Sequence, residues 1–226
     1  MFLSRSISAM PTRAVIFDLD GTLIDTLAPI ARAMNEALDS FGLPTHPESA
    51  YRRFIGDGVV ALVERAAGVD LGPRRDALIE SFRSRAVGLQ YDPALVFPGV
   101  LELLERLRSD RVPHALLSNK PHGDTVSVVA RLFPGHAFVR VYGHRPGYPA
   151  KPDPASALEI ANALEIPPAR CVFVGDSETD MKTASAAGMT AVGVSWGMHA
   201  PTRLRANGAA EVLSRPAELL DALPYG

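Results

Sequence analysis

Short apolar segments alternate with stretches of helical periodicity along most of the chain. The segments that predict strands are apolar at nearly every position and cover residues 13–17, 114–118, 138–142, 171–175, 190–194 and 210–213. The intervening stretches predict helices over residues 99–109, 122–132, 154–164 and 178–187. Continuously apolar strands are typical of a parallel sheet covered on both faces, and their alternation with helices predicts a doubly wound α/β fold.

Residues 25–95 interrupt this alternation. Apolar side chains recur near the start of this region at spacings of three and four, which predicts an amphipathic helix. These positions are Leu27, Ile30, Met34, Leu38 and Phe41. Similar spacing predicts further helices around residues 59–66 and 78–82, and no clear strand pattern lies between them. The sequence therefore predicts an inserted α-helical cap domain at residues 25–95, within an α/β core formed by residues 1–24 and 96–226.

The composition narrows the classes of function. The chain has 226 residues, a formal net charge of −2 and no block of basic residues, which argues against a nucleic-acid partner. No apolar stretch approaches the roughly 20 residues of a membrane-spanning helix, so no membrane partner is expected. Residues 1–10 lack the apolar segment of a signal peptide and are interpreted as a loose extension, with Met10 as an alternative start. We therefore expect a cytoplasmic protein.

Two carboxylates follow the first predicted strand, in the segment Asp18-Leu19-Asp20-Gly21-Thr22. Side chains two residues apart on a strand point the same way, so Asp18 and Asp20 can face one small volume. Two like charges held together are costly unless a cation neutralises them or one binds a proton. The pair suits a hard divalent ion and a carboxylate that acts as nucleophile or acid/base. The structural alternative is an ordinary turn, in which Asp and Gly are common.

Polar side chains follow other predicted strands at the same edge of the sheet. They are Ser118, Asn119 and Lys120 after the second strand, Asp176, Ser177 and Asp180 after the fourth, and Lys151 before the helix at residue 154. Ligands of open α/β sheets bind outside the carboxyl ends of the strands, where these groups would meet. Carboxylates, a hydroxyl and an ammonium together fit an Mg²⁺ ion and a phosphoryl group.

Each of these groups also has a structural interpretation. Ser177 and Asp180 fit the capping pattern of a helix N-terminus. The Asp-Pro pair that follows Lys151 by one residue fits a helix start. A serine at a strand end commonly satisfies nearby backbone groups. These interpretations leave Asp176 and Lys151 unexplained, which favours the functional one.

In their order and spacing, these segments resemble the four sequence motifs of haloacid dehalogenase (HAD) superfamily phosphatases. The motifs are Asp18 to Thr22, Ser118, Lys151 and Gly175 to Asp180. The resemblance extends from about residue 12 to residue 213 and includes the cap. It implies a HAD-like, Rossmannoid core.

The resemblance also implies a role for each motif residue. Asp18 is then the nucleophile, Asp20 the general acid/base, and Ser118 and Lys151 hold the transferring phosphoryl group. Mg²⁺ is bound by Asp18, the backbone carbonyl of Asp20 and Asp176, with Asp180 supporting the metal site. Two further motif residues are expected to contribute to substrate binding, namely Thr22 and Asn119.

Two features distinguish among HAD subgroups. A dehalogenase needs no general acid at the position of Asp20, so the presence of Asp20 argues against that subgroup. The three lysines of the chain, Lys120, Lys151 and Lys182, all lie outside the cap. This argues against phosphonate-cleaving and sugar-phosphate mutase relatives, which place a lysine there.

The segment from Arg53 to Gly58 resembles the Gly-x-Gly cap loop of phosphoglycolate phosphatases, and Ser-Asn-Lys at 118–120 is similar to the same subgroup. The alternative is a simple turn formed by Gly56 and Gly58. One departure from the subgroup is the Thr26-Leu27 pair, where a serine is expected before Ala28-Pro29.

We therefore expect an Mg²⁺-dependent phosphatase for a small phosphorylated metabolite, with 2-phosphoglycolate as the best candidate, acting as a monomer or homodimer. Pyrophosphate, a sugar phosphate or a nucleotide is the alternative substrate. A non-catalytic relative that only binds phosphorylated ligands is the alternative of another class. In the cap, Gly56, Gly58 and either Arg53 or Arg65 are predicted to bind the substrate's carboxylate, since guanidinium pairs with carboxylate in bidentate fashion.

Overall fold

A six-stranded parallel sheet forms the centre of the computed structural model, which describes residues 14–136 and 138–223. The strands are β1 (Ala14–Phe17), β2 (His114–Pro121), β3 (Val141–His144), β4 (Cys171–Gly175), β5 (Thr190–Val194) and β6 (Glu211–Leu213). Their order is β3-β2-β1-β4-β5-β6, and every neighbouring pair is parallel. The predicted extension at residues 1–10 lies outside the described residues.

Helices cover both faces of this sheet. They are α5 (Val100–Ser109), α6 (His122–Leu132), α7 (Ala155–Ala163), α8 (Glu178–Ala186), α9 (Pro201–Ala206) and α10 (Glu218–Ala222). Alternate residues of β1 enter different cores: Val15 and Phe17 pack with α5, α6 and α10, whereas Ala14 and Ile16 pack with α7, α8 and α9. Burial on both faces explains why the central strands are apolar at every position.

The cap consists of helices that pack around an apolar core of their own. They are α1 (Leu27–Ser40), α2 (Glu48–Tyr51), α3 (Val59–Ala67) and α4 (Arg75–Ala86). Leu38, Tyr51 and Leu78 are fully buried in this cluster, and Met198 of the α/β core packs into it.

The two segments that connect the cap to the core run side by side. Ile24 and Val96 form an antiparallel bridge, and the backbone N–H of Asp25 donates to the carbonyl of Leu95 at 2.7 Å. The predicted boundaries after residues 24 and 95 fall where these two segments pair. The division into two domains stays a prediction.

Two strands differ from the sequence-based expectation. β3 begins at Val141 rather than at residue 138, and β2 continues to Pro121 rather than ending at Ser118. The β2–β3 register shifts between Leu117 and Pro121, so Asn119 and Lys120 lie on an irregular stretch of strand. In the part of the chain that the structure describes, no helix is long and apolar enough to cross a membrane.

Candidate active site

The predicted catalytic residues converge at the carboxyl ends of three neighbouring strands. Asp18 directly follows β1, Asp176 directly follows β4, and Ser118 lies in β2 just before its irregular last residues. β1 lies between β2 and β4. The chain continues from β1 to β2 and β3 on one side of β1, and it then crosses to β4, β5 and β6 on the other side. This is the switch point at which open α/β sheets bind ligands.

Three carboxylates meet in the interior of this site. Ligand atoms of Asp18, Asp176 and Asp180 all lie within 4.8 Å of one another, and these residues are at most 7% exposed. Lys151 lies among them, and its Nζ donates to Oδ1 of Asp18 and to Oδ1 of Asp180, both at 2.7 Å. One ammonium therefore faces three carboxylates in a space from which water is largely excluded.

The pKa values of the cluster reflect this imbalance. Burial, followed by repulsion from Asp180, raises the pKa of Asp18 well above its ordinary range and that of Asp176 to about 7. Burial alone would lower the pKa of Lys151, but attraction to Asp18 and Asp180 outweighs burial and raises it, so the ammonium stays charged. A hard divalent cation with oxygen ligands fits the remaining negative charge of this donor set.

The Asp176 carboxylate is held by groups from two loops. Its Oδ2 accepts the backbone N–H of Met198 at 2.8 Å, and its Oδ1 accepts the hydroxyl of Thr22 at 3.3 Å. Gly21 and Gly197 approach so closely that a Cβ on either would lie 2.3 Å from an Asp176 atom. Thr22 was predicted to bind substrate, but in the structure its side chain contacts Asp176 and does not line the cavity.

Asp180 caps α8, as the sequence pattern indicates, and it also contacts Lys151. It forms a capping box with Ser177 at the start of α8, in which the Asp180 backbone N–H donates to Oγ of Ser177. Its Oδ2 accepts from the Ser177 backbone N–H and hydroxyl, while its Oδ1 accepts from Lys151. Asp180 is fully buried and does not line the cavity, whereas Asp18 and Asp176 do, so the geometry favours a role in orienting Lys151 over direct metal ligation.

Asp20 lies apart from the carboxylate cluster and has a different partner. Nζ of Lys120 lies 3.3 and 3.4 Å from the two carboxylate oxygens of Asp20, and the two side chains are only 12% and 15% exposed. The sequence pattern predicts no specific role for Lys120. Its signals in the sequence are its position directly after Ser118 and Asn119 and its place in the Ser-Asn-Lys segment.

Asn119 positions backbone rather than offering its amide to a substrate. Its Oδ1 accepts the Lys151 backbone N–H at 2.8 Å, and its Nδ2 donates to the carbonyls of Lys151 and Gly56 at 3.0 and 3.1 Å. The neighbouring Ser118 lines the cavity, and its Oγ accepts the Lys120 backbone N–H at 3.1 Å. Asn119 therefore ties the loop that carries Lys151 to the loop of the cap.

A cavity of about 210 Å³ lies between the core and the cap. Its core side carries Asp18, Asp20, Ser118, Lys120 and Asp176. Its cap side carries Gly56, Gly58 and a largely apolar surface formed by Ile30, Ile55, Val59, Leu62, Phe82, Ala86, Val87 and Leu89.

The cap arginines predicted to bind substrate do not line this cavity. Arg65 pairs with Asp57 at 2.5 Å and donates to the Phe54 carbonyl at 3.2 Å. Arg53 lies in a separate surface groove with Arg52. The expectation that Arg53 or Arg65 reaches the substrate is therefore not supported, because one is neutralised within the cap and the other faces another surface. Arg83 of α4 is a cap arginine that does line the cavity.

Polar contacts hold the cap loop against the core. Asp57 accepts the hydroxyl of Thr179 at 2.6 Å, and Arg52 donates to the carbonyl of Gly197 at 3.0 Å. Together with the Asn119–Gly56 contact, they enclose the cavity above Asp18.

Comparison with known proteins assigns this geometry to a family. Residues 12–188 match the haloacid dehalogenase-like hydrolase family. The chain belongs to this family. The predicted HAD-like α/β fold is confirmed, and the family together with the relatives named below identifies the protein as a phosphoric monoester hydrolase.

Similar proteins carry more specific names. A phosphoglycolate phosphatase of Pseudomonas putida is 35% identical over 190 residues, which cover 82% of this chain and 70% of the relative. A phosphoglycolate phosphatase of Rhodospirillum rubrum is 35% identical over 193 residues, 82% of this chain and 80% of the relative. A crystal structure from Haemophilus somnus, described as a predicted phosphoglycolate phosphatase, superposes with a TM-score of 0.86 at 25% identity, covering 95% of this chain and 99% of the other.

The close approach of Gly21 to Asp176 predicts that Gly21→Ala disables this hydrolase. Gly21 has a φ of +87°, and a Cβ would lie 2.3 Å from Oδ2 of Asp176. Displacing that carboxylate should reduce turnover by about 100-fold or more. Phosphatase assays and calorimetric cation titration measure the effect.

Gly135→Ala is the matched control for Gly21→Ala. Gly135 has a similar φ of +83°, and a Cβ there would meet no atom within 4 Å. Its cost should be confined to backbone strain of about 1–3 kcal/mol in stability. Equal activity losses in the two variants would contradict a specific effect on Asp176.

Proposed function

We propose that this hydrolase is an Mg²⁺-dependent phosphatase that acts on a small phosphorylated carboxylic acid, with 2-phosphoglycolate as the first candidate, through an aspartyl-phosphate intermediate. The observation that carries the proposal is the Asp18 carboxylate. It lies at the bottom of the enclosed cavity, and one of its oxygens is fixed by Lys151 at 2.7 Å. The names of the relatives support the choice of substrate.

Asp18 attacks the phosphorus in this mechanism. Lys151 binds Oδ1 of Asp18 and so orients Oδ2 for an in-line approach. Phosphoryl transfer depends more on positioning and charge neutralisation than on covalent chemistry. The Lys151 ammonium offsets negative charge between nucleophile and phosphate, and the Ser118 hydroxyl can donate to a phosphoryl oxygen.

Asp20 acts as the general acid and then as the general base. It first protonates the oxygen of the leaving alcohol, and it then accepts a proton from the water that hydrolyses the aspartyl-phosphate. Such acid–base assistance is typically worth ~10²–10⁴-fold in rate. The Lys120 contact keeps the Asp20 carboxylate in the cavity, beside Asp18 but outside the buried cluster.

Asp18, Asp176 and the backbone carbonyl of Asp20 are the proposed Mg²⁺ ligands. The cation, when bound, supplies the charge neutralisation that lets a carboxylate approach an anionic phosphate. Asp180 supports this site by holding Lys151. The buried excess of carboxylates over ammonium groups is the structural reason for expecting a cation.

Experiment can distinguish the proposed function from two alternatives, namely another substrate and a non-catalytic role. Pyrophosphate, sugar phosphates and nucleotides would use the same core residues. A non-catalytic phosphate-binding relative is disfavoured, because Asp18, Asp20 and Lys151 are all present and directed at one site.

Asp18→Asn is expected to abolish turnover while the protein stays folded. The amide keeps the shape of the side chain but cannot attack phosphorus, so kcat should fall by at least ~10³-fold. Phosphate release by purified variant measures the change. Asp25→Asn is the control, since Asp25 accepts the Leu27 backbone N–H outside the cavity. Substantial activity in undeamidated Asp18→Asn protein would rule out the aspartyl-phosphate.

Metal removal is expected to silence the enzyme, and Mg²⁺ should restore it. Burial raises the pKa of Asp176 to about 7, so a cation must displace a proton below that pH. Mg²⁺ affinity should therefore increase from about pH 6 to about pH 8. Calorimetric titration at both values measures this trend. Full activity after exhaustive chelation contradicts the metal requirement.

The substrate is tested with a panel assayed with and without Mg²⁺. The panel contains 2-phosphoglycolate, pyrophosphate, glucose 6-phosphate and adenosine monophosphate. We expect the highest kcat/KM for 2-phosphoglycolate. A higher value for the sugar phosphate or the nucleotide would refute the substrate and leave the phosphatase chemistry in place.

A further inference from the structure

Lys120 holds a distinctive place among the cations of the molecule. Lys151 forms ion pairs with Asp18 and Asp180, and Arg65 forms an ion pair with Asp57. Lys120 and Arg83 are the lysine and arginine side chains that line the cavity in the described part of the chain. Of these two, Lys120 contacts a catalytic group, the Asp20 carboxylate.

We propose that Lys120 is a specificity-determining residue whose ammonium binds the carboxylate of the substrate beside the ester bond that is cleaved. This inference rests on the proposed function, because it names the group that selects a phosphorylated carboxylic acid. It moves substrate recognition from the arginines of the cap to a lysine of the core.

Distances at Asp20 place Lys120 within reach of that carboxylate. An acid must approach the leaving oxygen to about 2.6–3.2 Å. Nζ of Lys120 is 3.3 Å from an Asp20 oxygen, so it lies near the same leaving oxygen. In 2-phosphoglycolate the carboxylate carbon is two bonds, or about 2.4 Å, from this oxygen. One substrate can thus contact Asp20 with its ester oxygen and Lys120 with its carboxylate.

The Lys120–Asp20 contact leaves capacity for a second acceptor. Its distances of 3.3 and 3.4 Å exceed the roughly 2.7–2.9 Å of a strong charge-assisted hydrogen bond. An ammonium has three donors, and the Asp20 carboxylate does not occupy all of them. The side chain is only 12% exposed, so a carboxylate bound here exchanges little water for a strong charged contact.

The cap side of the cavity offers few other groups that could bind the carboxylate of the substrate. Ile55, Val59, Leu62 and Phe82 present apolar surface, against which an unpaired charge would be costly. Arg83 is exposed on α4 of the cap, whereas Lys120 belongs to β2 of the core and contacts Asp20 directly. This placement favours Lys120 as the group that discriminates between substrates.

The test compares two substrates that differ only in the proposed contact. 2-Phosphoglycolate carries a carboxylate where 2-hydroxyethyl phosphate carries a neutral hydroxymethyl group. The ratio of their kcat/KM values is measured for wild type, Lys120→Met and Lys120→Gln. Because Lys120 also contacts Asp20, both activities should fall in the variants, and the ratio isolates the carboxylate contact. We expect the ratio to fall by roughly ten- to a hundredfold, with partial recovery in Lys120→Arg.

Lys182→Met is the matched control, since Lys182 is 55% exposed and its nearest carboxylate, Glu178, is 3.9 Å away on the same helix. Its ratio should equal that of wild type. A wild-type preference that survives both Lys120→Met and Lys120→Gln overturns the role of Lys120, and a loss of preference in Arg83→Gln alone would assign the contact to the cap. No preference in wild type would instead refute the proposed substrate. Circular dichroism confirms that each variant is folded.

Discussion

A buried excess of negative charge is the main physical constraint on the active site of this hydrolase. Three carboxylates share the carboxyl edge of the sheet, and the Lys151 ammonium bridges only two of them. Such a cluster is unfavourable unless the surrounding backbone holds it in place and a cation completes it. The sequence around the site meets these demands locally: Ser177 donates to Asp180, while Gly21 and Gly197 let backbone approach Asp176 where any side chain would collide.

The cap depends on the same cluster, because the loop that holds Asp176 also contacts the cap. Met198 donates its backbone N–H to Asp176 and packs its side chain into the cap's apolar core. Gly197, directly before it, accepts from Arg52 of the cap. Two adjacent residues therefore contact both the carboxylate site and the cap. The same short loop thus helps to position Asp176 and to hold the cap over the cavity.

The sequence predicted the fold well because its signals were local. Continuous apolar runs mark strands that are buried on both faces, and Asp18 and Asp176 follow such runs directly. β3 was misplaced because residues 138–140 are also partly apolar, and the start of this edge strand depends on its register with β2. The position of the cap arginines outside the cavity could not be predicted for a similar reason. The number of arginines is visible in a sequence, but the pairing of Arg65 with Asp57 arises only in the folded loop.

The irregular end of β2 explains why the contact between Lys120 and Asp20 could not be predicted from the sequence. Register shifts between Leu117 and Pro121 re-aim side chains that simple strand alternation would place otherwise, as β-bulges commonly do near active sites. Gly143 of β3 permits this path, because a Cβ there would lie 2.5 Å from the Lys120 carbonyl. Asn119 consequently turns to the Lys151 loop and Lys120 to Asp20. In the proposed mechanism the two lysines have different roles: Lys151, buried in the core, holds the nucleophile Asp18, whereas Lys120, which lines the cavity, binds the carboxylate of the substrate. Substrate preference can then change at Lys120 without disturbing the charge balance around Asp18.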